Sequence, residues 1–111
     1  MTLFLDPKPK SYLSPAETTA LLTQVRKLSD EKAKTTPVGE IFWYQDPSNH
    51  EGPRFGPYLN ELIWGDVSPI VSALLGYYER YEVWLETAFV IEDLERGAMG
   101  SGIVEQGVTS P

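Results

Sequence analysis

The segment that decides the fold runs from Ser68 to Gly97 and reads SPIVSALLGYYERYEVWLETAFVIEDLERG. Its apolar residues recur at spacings of three and four, which is typical of a helix with one apolar face. Ser68-Pro69 has the composition of a helix start, and Arg96 followed by Gly97 has that of a helix end. We therefore predict a long helix over about 69–96.

Two features of this segment leave an alternative open. Gly76 lies inside the predicted helix, where glycine costs roughly 1 kcal/mol relative to alanine. Residues 83–91, VWLETAFVI, are rich in β-branched and aromatic types that favour strands. The alternative is a helix broken near Gly76, or a strand within 83–91.

The apolar arc of the predicted helix is wider than one packing face requires. A packed helix needs an arc of roughly 100°, and aromatic residues extend this arc further. Either the rest of the chain covers the helix from two sides, or part of the arc binds a protein partner or a second copy. The candidate interaction residues are Tyr77, Tyr81, Trp84 and Ile91, and the carboxylates that would border them are Glu79, Glu82, Glu86, Glu92 and Asp93.

The chain before this segment contains a second helix start. In Ser14-Pro15-Ala16-Glu17, a capping serine precedes a proline at the first helical position. Apolar residues behind it share one helical face, so we predict an amphipathic helix over about 15–32. The prolines of DPKPK at 6–10 predict an extended arm over 1–13.

The chain between the two long helices carries weaker signals. Residues 40–44, EIFWY, have high strand propensity and predict a small sheet. The candidate partner strands lie at 2–5 and 103–108. Pro57 to Trp64, followed by Gly65, predicts a short helix over about 57–64.

Length and composition limit both fold and chemistry. A chain of 111 residues has the size of one domain, so we predict a single α+β domain over 14–97 with a flexible tail at 98–111. A mostly α fold is the alternative. The chain has no cysteine, one histidine and no phosphate-binding or hydrolase motif, so we expect no metal, no cofactor and no enzymatic activity. Without a signal-peptide pattern or a spanning segment, we expect a cytoplasmic protein and no membrane insertion.

The charge is distributed unevenly along the chain. The formal net charge is −7, whereas residues 35–111 carry three arginines against twelve carboxylates, a net charge of −9. A surface of that sign repels phosphate backbones, so we expect no direct nucleic-acid binding. It also suggests a hypothesis in which the acidic region imitates nucleic acid and inhibits a nucleic-acid-binding protein.

Residues 46–57, DPSNHEGPRFGP, predict a long loop. Loops of this length are uncommon in small domains unless they are functional or mobile. His50 is a candidate for acid–base chemistry, and Arg54 is a candidate for binding a carboxylate or phosphate unless it pairs with Glu51 or Asp66. Together with nearby aromatic residues, the candidate ligand-binding set is Trp43, His50, Arg54, Phe55 and Tyr58.

Three functional hypotheses follow from the sequence. The first is an interaction or assembly protein, including a homodimer, that uses the aromatic, acid-rimmed helix face and the Pro/Gly-rich loop. The second is a small-ligand-binding domain around His50 and Arg54. The third is the acidic inhibitor that imitates nucleic acid.

Overall fold

The computed structural model describes residues 2–39, 43–49, 52–60 and 62–107. Within them, two helices accompany a five-stranded antiparallel sheet, which confirms the α+β class and excludes a mostly α fold. The elements in chain order are β1 (Thr2–Tyr12), α1 (Pro15–Asp30), β2 (Tyr44–Gln45), β3 (Pro53–Asn60), α2 (Trp64–Tyr81), β4 (Leu85–Asp93) and β5 (Gly97–Gln106). The strand order across the sheet is β1-β4-β5-β3-β2.

The hydrophobic core lies between the two helices and one face of the sheet. Buried side chains come from the inner faces of α1 and α2 and from alternate positions of β4. The intervening residues of β4 face the other side, where Val90 is 43% exposed. None of the helices in the described part of the chain is long and apolar enough to cross a membrane.

Helix α1 begins where its capping sequence predicts. The Oγ of Ser14 accepts a hydrogen bond from the backbone N–H of Glu17 at 3.2 Å, and Pro15 opens the helix. Its buried face contains Leu21, Leu22 and Val25, and it packs against α2. The helix ends at Asp30, close to the predicted end at 32.

Helix α2 begins earlier than its sequence signals indicate. The first two N–H groups of the helix, those of Trp64 and Gly65, donate to the backbone carbonyls of Thr36 and Lys34 at 3.0 and 2.9 Å. The Asp66 carboxylate also accepts from the backbone N–H of Ile63 at 3.2 Å. Because these contacts cap the helix ahead of Ser68-Pro69, the predicted start at 69 is wrong.

The predicted continuation of this helix to residue 96 is also wrong. Helix α2 passes Gly76 unbroken and ends at Tyr81, and Glu82 adopts a left-handed conformation with φ of 53°. Residues 85–93 then form β4, which pairs with β1 and β5. The alternative of a strand within 83–91 is therefore the observed structure, because backbone pairing on both sides outweighs the helical spacing of the side chains.

The region predicted as a short helix at 57–64 lies in β3 up to Asn60, and Trp64 already belongs to α2. The backbone of β3 pairs with β5, for example Phe55 with Val104, and this pairing replaces the local helix. Of the small sheet predicted at 40–44, residues 40–42 lie outside the described residues. The neighbouring β2 is two residues long and pairs with β3.

The predicted arm at 1–13 and tail at 98–111 belong to the sheet over most of their described parts. Strand β1 is an edge strand, the position at which Pro7 and Pro9 are tolerated because a missing backbone donor there can face solvent. Strand β5 is the central strand, and it joins β4 through a turn. In that turn Gly97 has φ of 75°, and the Asp93 carboxylate accepts from the N–H groups of Glu95 and Arg96 at 2.9 and 3.2 Å.

A glycine in the central strand allows two aromatic rings to meet across it. Phe55 of β3 and Phe89 of β4 stack with their ring centroids 5.7 Å apart and an interplanar angle of 17°. Gly102 of β5 pairs with Phe89, and a Cβ at this position would lie 2.5 Å from Cζ of Phe89 and would also collide with the carbonyl oxygen of Gly56. The absence of a side chain at Gly102 therefore makes this part of the core possible.

The variant Gly102→Ala is expected to lower the free energy of unfolding by about 1–3 kcal/mol, because the added methyl group overpacks the sheet. Urea denaturation followed by circular dichroism measures this change. Gly76→Ala is the matched control, because a Cβ there meets nothing within 4 Å in the helix, and it is expected to raise stability by about 0.5–1 kcal/mol. Equal effects of the two variants would contradict the role assigned to Gly102.

Candidate functional site

Three of the four predicted interaction residues come together at the end of α2. Tyr77 and Tyr81 have ring centroids 5.5 Å apart, and Tyr77 also contacts Tyr78 at 5.8 Å. Trp84 stacks on Tyr78 at 5.2 Å, with the ring planes only 7° apart. The fourth residue, Ile91, is fully buried in β4 and belongs to the core, because helix α2 ends at Tyr81, ten residues before it.

An open groove lies beside this cluster, where the end of β1 meets the start of β4. Its volume is about 420 Å³. Its apolar lining is provided by Tyr12, Leu13, Pro15, Val83, Trp84 and Leu85, and Glu82 supplies a charge. We call this set of residues the aromatic groove.

Two exposed tyrosine side chains lie in and beside the aromatic groove. Tyr12 is 77% exposed, and Tyr81, which adjoins the groove through Glu82, is 59% exposed. Tyr12 pairs with Leu85 across the sheet, and the backbone N–H of Leu13 donates to the carbonyl of Trp84 at 2.9 Å. Sequence reasoning missed Tyr12 as a site residue, because only the pairing of β1 with β4 brings it to Trp84.

A buried hydrogen-bond network fixes one side of the groove. The hydroxyl of Tyr78 lies 3.0 Å from both the carbonyl of Leu85 and the Oγ1 of Thr87, and Thr87 Oγ1 donates to the same carbonyl at 2.8 Å. Tyr78 and Thr87 are fully buried. Burial raises the pKa of Tyr78 to about 12. The network holds the start of β4 against α2 and thereby positions Trp84.

Backbone strain occurs at Glu82 in the groove lining and at Lys10, two residues before Tyr12 in β1. Lys10 and Glu82 have φ values of 65° and 53°, and they are the non-glycine residues with positive φ in the described parts of the chain. Such left-handed conformations cost a non-glycine residue roughly 1–2 kcal/mol. Strain of this kind persists where the surrounding structure imposes it, and it concentrates at functional sites.

The predicted ligand-binding residues do not share one pocket. The Arg54 guanidinium lies 4.4 Å from the ring centroid of Trp43, and its Nε and Nη2 contact the Glu105 carboxylate at 2.9 and 2.5 Å. Arg54 thus has an internal partner in Glu105 of β5, whereas Glu51, one of the two predicted partners, lies outside the described residues. Phe55, the next residue along β3, points to the opposite side of the sheet, where it stacks in the core. Tyr58 lies in β3, and His50 lies outside the described residues.

A second hollow of about 390 Å³ lies between α1 and the loop that precedes β3. Its polar groups are bonded to one another: Asn49 donates to Glu17 at 2.8 Å, and Gln24 donates to Asp46 at 3.1 Å. Hydrogen bonds from the backbone and side chain of Ser48, followed by the one from Gln24, lower the pKa of Asp46. These contacts give the hollow a structural explanation, since they attach the loop to the helix.

Searches for metal sites and relatives gave negative results. Among the residues that the structure describes, no group of three or more histidine or carboxylate side chains could hold a metal ion. Comparisons with protein-family models, curated proteins and solved structures found no match to this chain. The aromatic groove is therefore the feature of the described structure from which a function can be proposed.

The variant Tyr78→Phe tests the network that holds Trp84. At pH 8 it should lower the free energy of unfolding by about 1 kcal/mol, because a buried hydrogen bond is lost. In the wild type, the unfolded chain releases the Tyr78 proton near pH 10, whereas the folded chain keeps it until about pH 12. The stability contributed by this group is therefore lost as the pH rises from 10 to 12, by roughly 1 kcal/mol at pH 11.

The two proteins should consequently have nearly equal stability at pH 11. Urea denaturation at pH 8, 10 and 11 measures the difference in free energy of unfolding between the two proteins. The other tyrosines are present in both proteins, so their ionisation cancels in this difference. A difference that stays constant over this range would show that Tyr78 is not protected in the folded state.

Proposed function

We propose that this protein is a protein-binding domain and that the aromatic groove is its contact surface. The observation that carries the proposal is the exposure of Tyr12 and Tyr81 beside the half-buried Trp84. Tyrosine and tryptophan are enriched in interfaces, because their rings bury a large apolar area while their polar ends tolerate water. Residues of these types also account for much of the binding energy where alanine scanning has been done.

The chemistry of the groove supports binding rather than catalysis. Its lining is mainly apolar, and Glu82 is the charged member of that lining. General acid–base or nucleophilic catalysis requires paired reactive groups within hydrogen-bond reach of each other. The lining offers no such pair, whereas apolar and aromatic walls with a bordering carboxylate are typical of a protein interface.

The edges of the sheet are poorly suited to pairing with a strand of a partner, which favours the groove as the contact surface. Strand β1 contains Pro7 and Pro9 together with exposed Lys8 and Lys10, and prolines and lysines on an edge strand oppose pairing with another chain. The opposite edge, β2, is only two residues long. A partner, including a second copy of this chain, therefore finds a better contact surface in the aromatic side chains.

The proposal is tested by affinity capture with the tagged full-length chain from its source cells. The groove variant Tyr12→Ser/Tyr81→Ser should lose a partner that the wild type retains, because it removes two aromatic side chains that are 77% and 59% exposed. The matched control is Phe4→Ser/Val90→Ser, which removes exposed apolar residues of similar accessibility, 52% and 43%, from the opposite face of the sheet. Circular dichroism confirms that both variants are folded.

The captured partner is then purified and titrated against the three proteins. Binding to the groove variant should be at least tenfold weaker than to the wild type and the control. Binding to the wild type should weaken only modestly between 0.1 and 0.5 M salt, because apolar contacts are not screened. Equal binding by all three proteins would exclude the groove. A steep loss with salt would instead favour the acidic surface as the contact. Light scattering on the isolated chain identifies a second copy as the partner.

A further inference from the structure

We propose that the aromatic groove binds a proline-rich segment that also carries arginine or lysine. This inference rests on the proposed function and narrows its partner to one chemical class. Three properties of the groove favour such a segment: the shape of its aromatic walls, the rigidity of those walls, and the negative potential at one end. No sheet pairing with the partner is required.

The walls match the side chains of a polyproline helix. Tyr12, Pro15 and Trp84 provide flat or ring-shaped apolar surfaces around an open depression. Proline-rich segments dock into aromatic-lined grooves because their rings pack against flat aromatic faces. Their extended conformation is also largely formed before binding, so little conformational entropy is lost.

The groove is preformed, which favours a rigid ligand. The ring of Trp84 stacks on buried Tyr78, and Trp84 also lines the groove. The carbonyl of Trp84 accepts the N–H of Leu13, so the two walls are joined by a backbone hydrogen bond of 2.9 Å. The left-handed backbone at Glu82 fixes the direction in which the chain leaves α2.

The negative end of the groove favours a cation. Glu82 contributes a carboxylate to the lining, and as the C-cap residue of α2 it also lies at the negative end of the helix dipole. A cation can in addition contact the ring of Trp84, which lines the groove and is the type of aromatic side chain that binds cations best. Arg80 lies 5.5 Å from the ring centroid of Tyr81, so a cation of this chain already contacts an aromatic ring beside the groove.

The experiment titrates the ¹⁵N-labelled full chain with a synthetic peptide of three Pro-Pro-Arg repeats. Two matched peptides replace every arginine by glutamate or every proline by alanine. We expect shifts of the amide signals of Tyr12, Leu13, Val83, Trp84 and Leu85 with the first peptide. Binding should be at least tenfold weaker with the alanine peptide and undetectable with the glutamate peptide.

The variant Glu82→Gln isolates the charge, because it keeps the shape of the side chain. It should weaken binding of the arginine peptide about fivefold, as expected for a partly exposed ion pair. Binding of a Pro-Pro-Gln peptide should not change. Glu95→Gln is the control, since Glu95 lies in the turn at the far end of β4 and its removal changes the net charge equally.

The outcomes separate this inference from the proposed function. If a protein partner depends on Tyr12 and Tyr81 but none of the peptides binds, the proline-rich class is wrong and the protein-binding groove remains. Amide shifts confined to the opposite face, at residues such as Phe4 and Val90, would overturn the groove as the peptide site. Equal binding of the arginine and glutamate peptides would overturn the assigned role of Glu82.

Discussion

The structure depends on one close approach, that of the Phe55 and Phe89 rings over Gly102. The two rings belong to strands on either side of β5, and they can stack only because the central strand has no side chain at this position. The stacked rings belong to the hydrophobic core on which the helices pack, together with Ile91 and Val104. The stack joins β4 to β3 across β5 and helps to hold β4, which contributes Leu85 to the aromatic groove.

Some elements were predictable because their signals are local. Helix α1 has its cap, its proline and its apolar face within one short stretch, and it forms where predicted. The boundaries of α2 were not predictable, because the groups that cap its first turn are the carbonyls of Lys34 and Thr36, far away in the sequence. Residues 85–93 satisfy both helical spacing and strand alternation, and only the presence of partner strands on both sides decides between them.

The candidate site illustrates the same division between local and long-range information. Tyr77, Tyr81 and Trp84 lie on one face of the long helix that the sequence predicts. In the structure the helix ends at Tyr81, and Tyr78 connects Tyr77 and Tyr81 to Trp84. They meet because the chain turns back at Glu82 and places Trp84 on Tyr78. Tyr12 could not be selected, since nothing in its neighbourhood indicates that it pairs with Leu85. For Arg54, an internal ion pair was foreseen as an alternative, but its partner Glu105 is a residue of another strand.

The pairing of β1 with β4 links the first strand of the chain to the fourth, with Thr2 opposite Glu92. Closing so long a stretch of chain costs configurational entropy, and an edge strand is held on one side only. Local opening of the protein should therefore begin at β1 and remove Tyr12 from the groove. Ligand binding and the attachment of β1 to the sheet are then coupled equilibria. A ligand present at a hundred times its Kd would raise the free energy of this opening by about 2.7 kcal/mol. The amide hydrogens of β1 would then exchange more slowly.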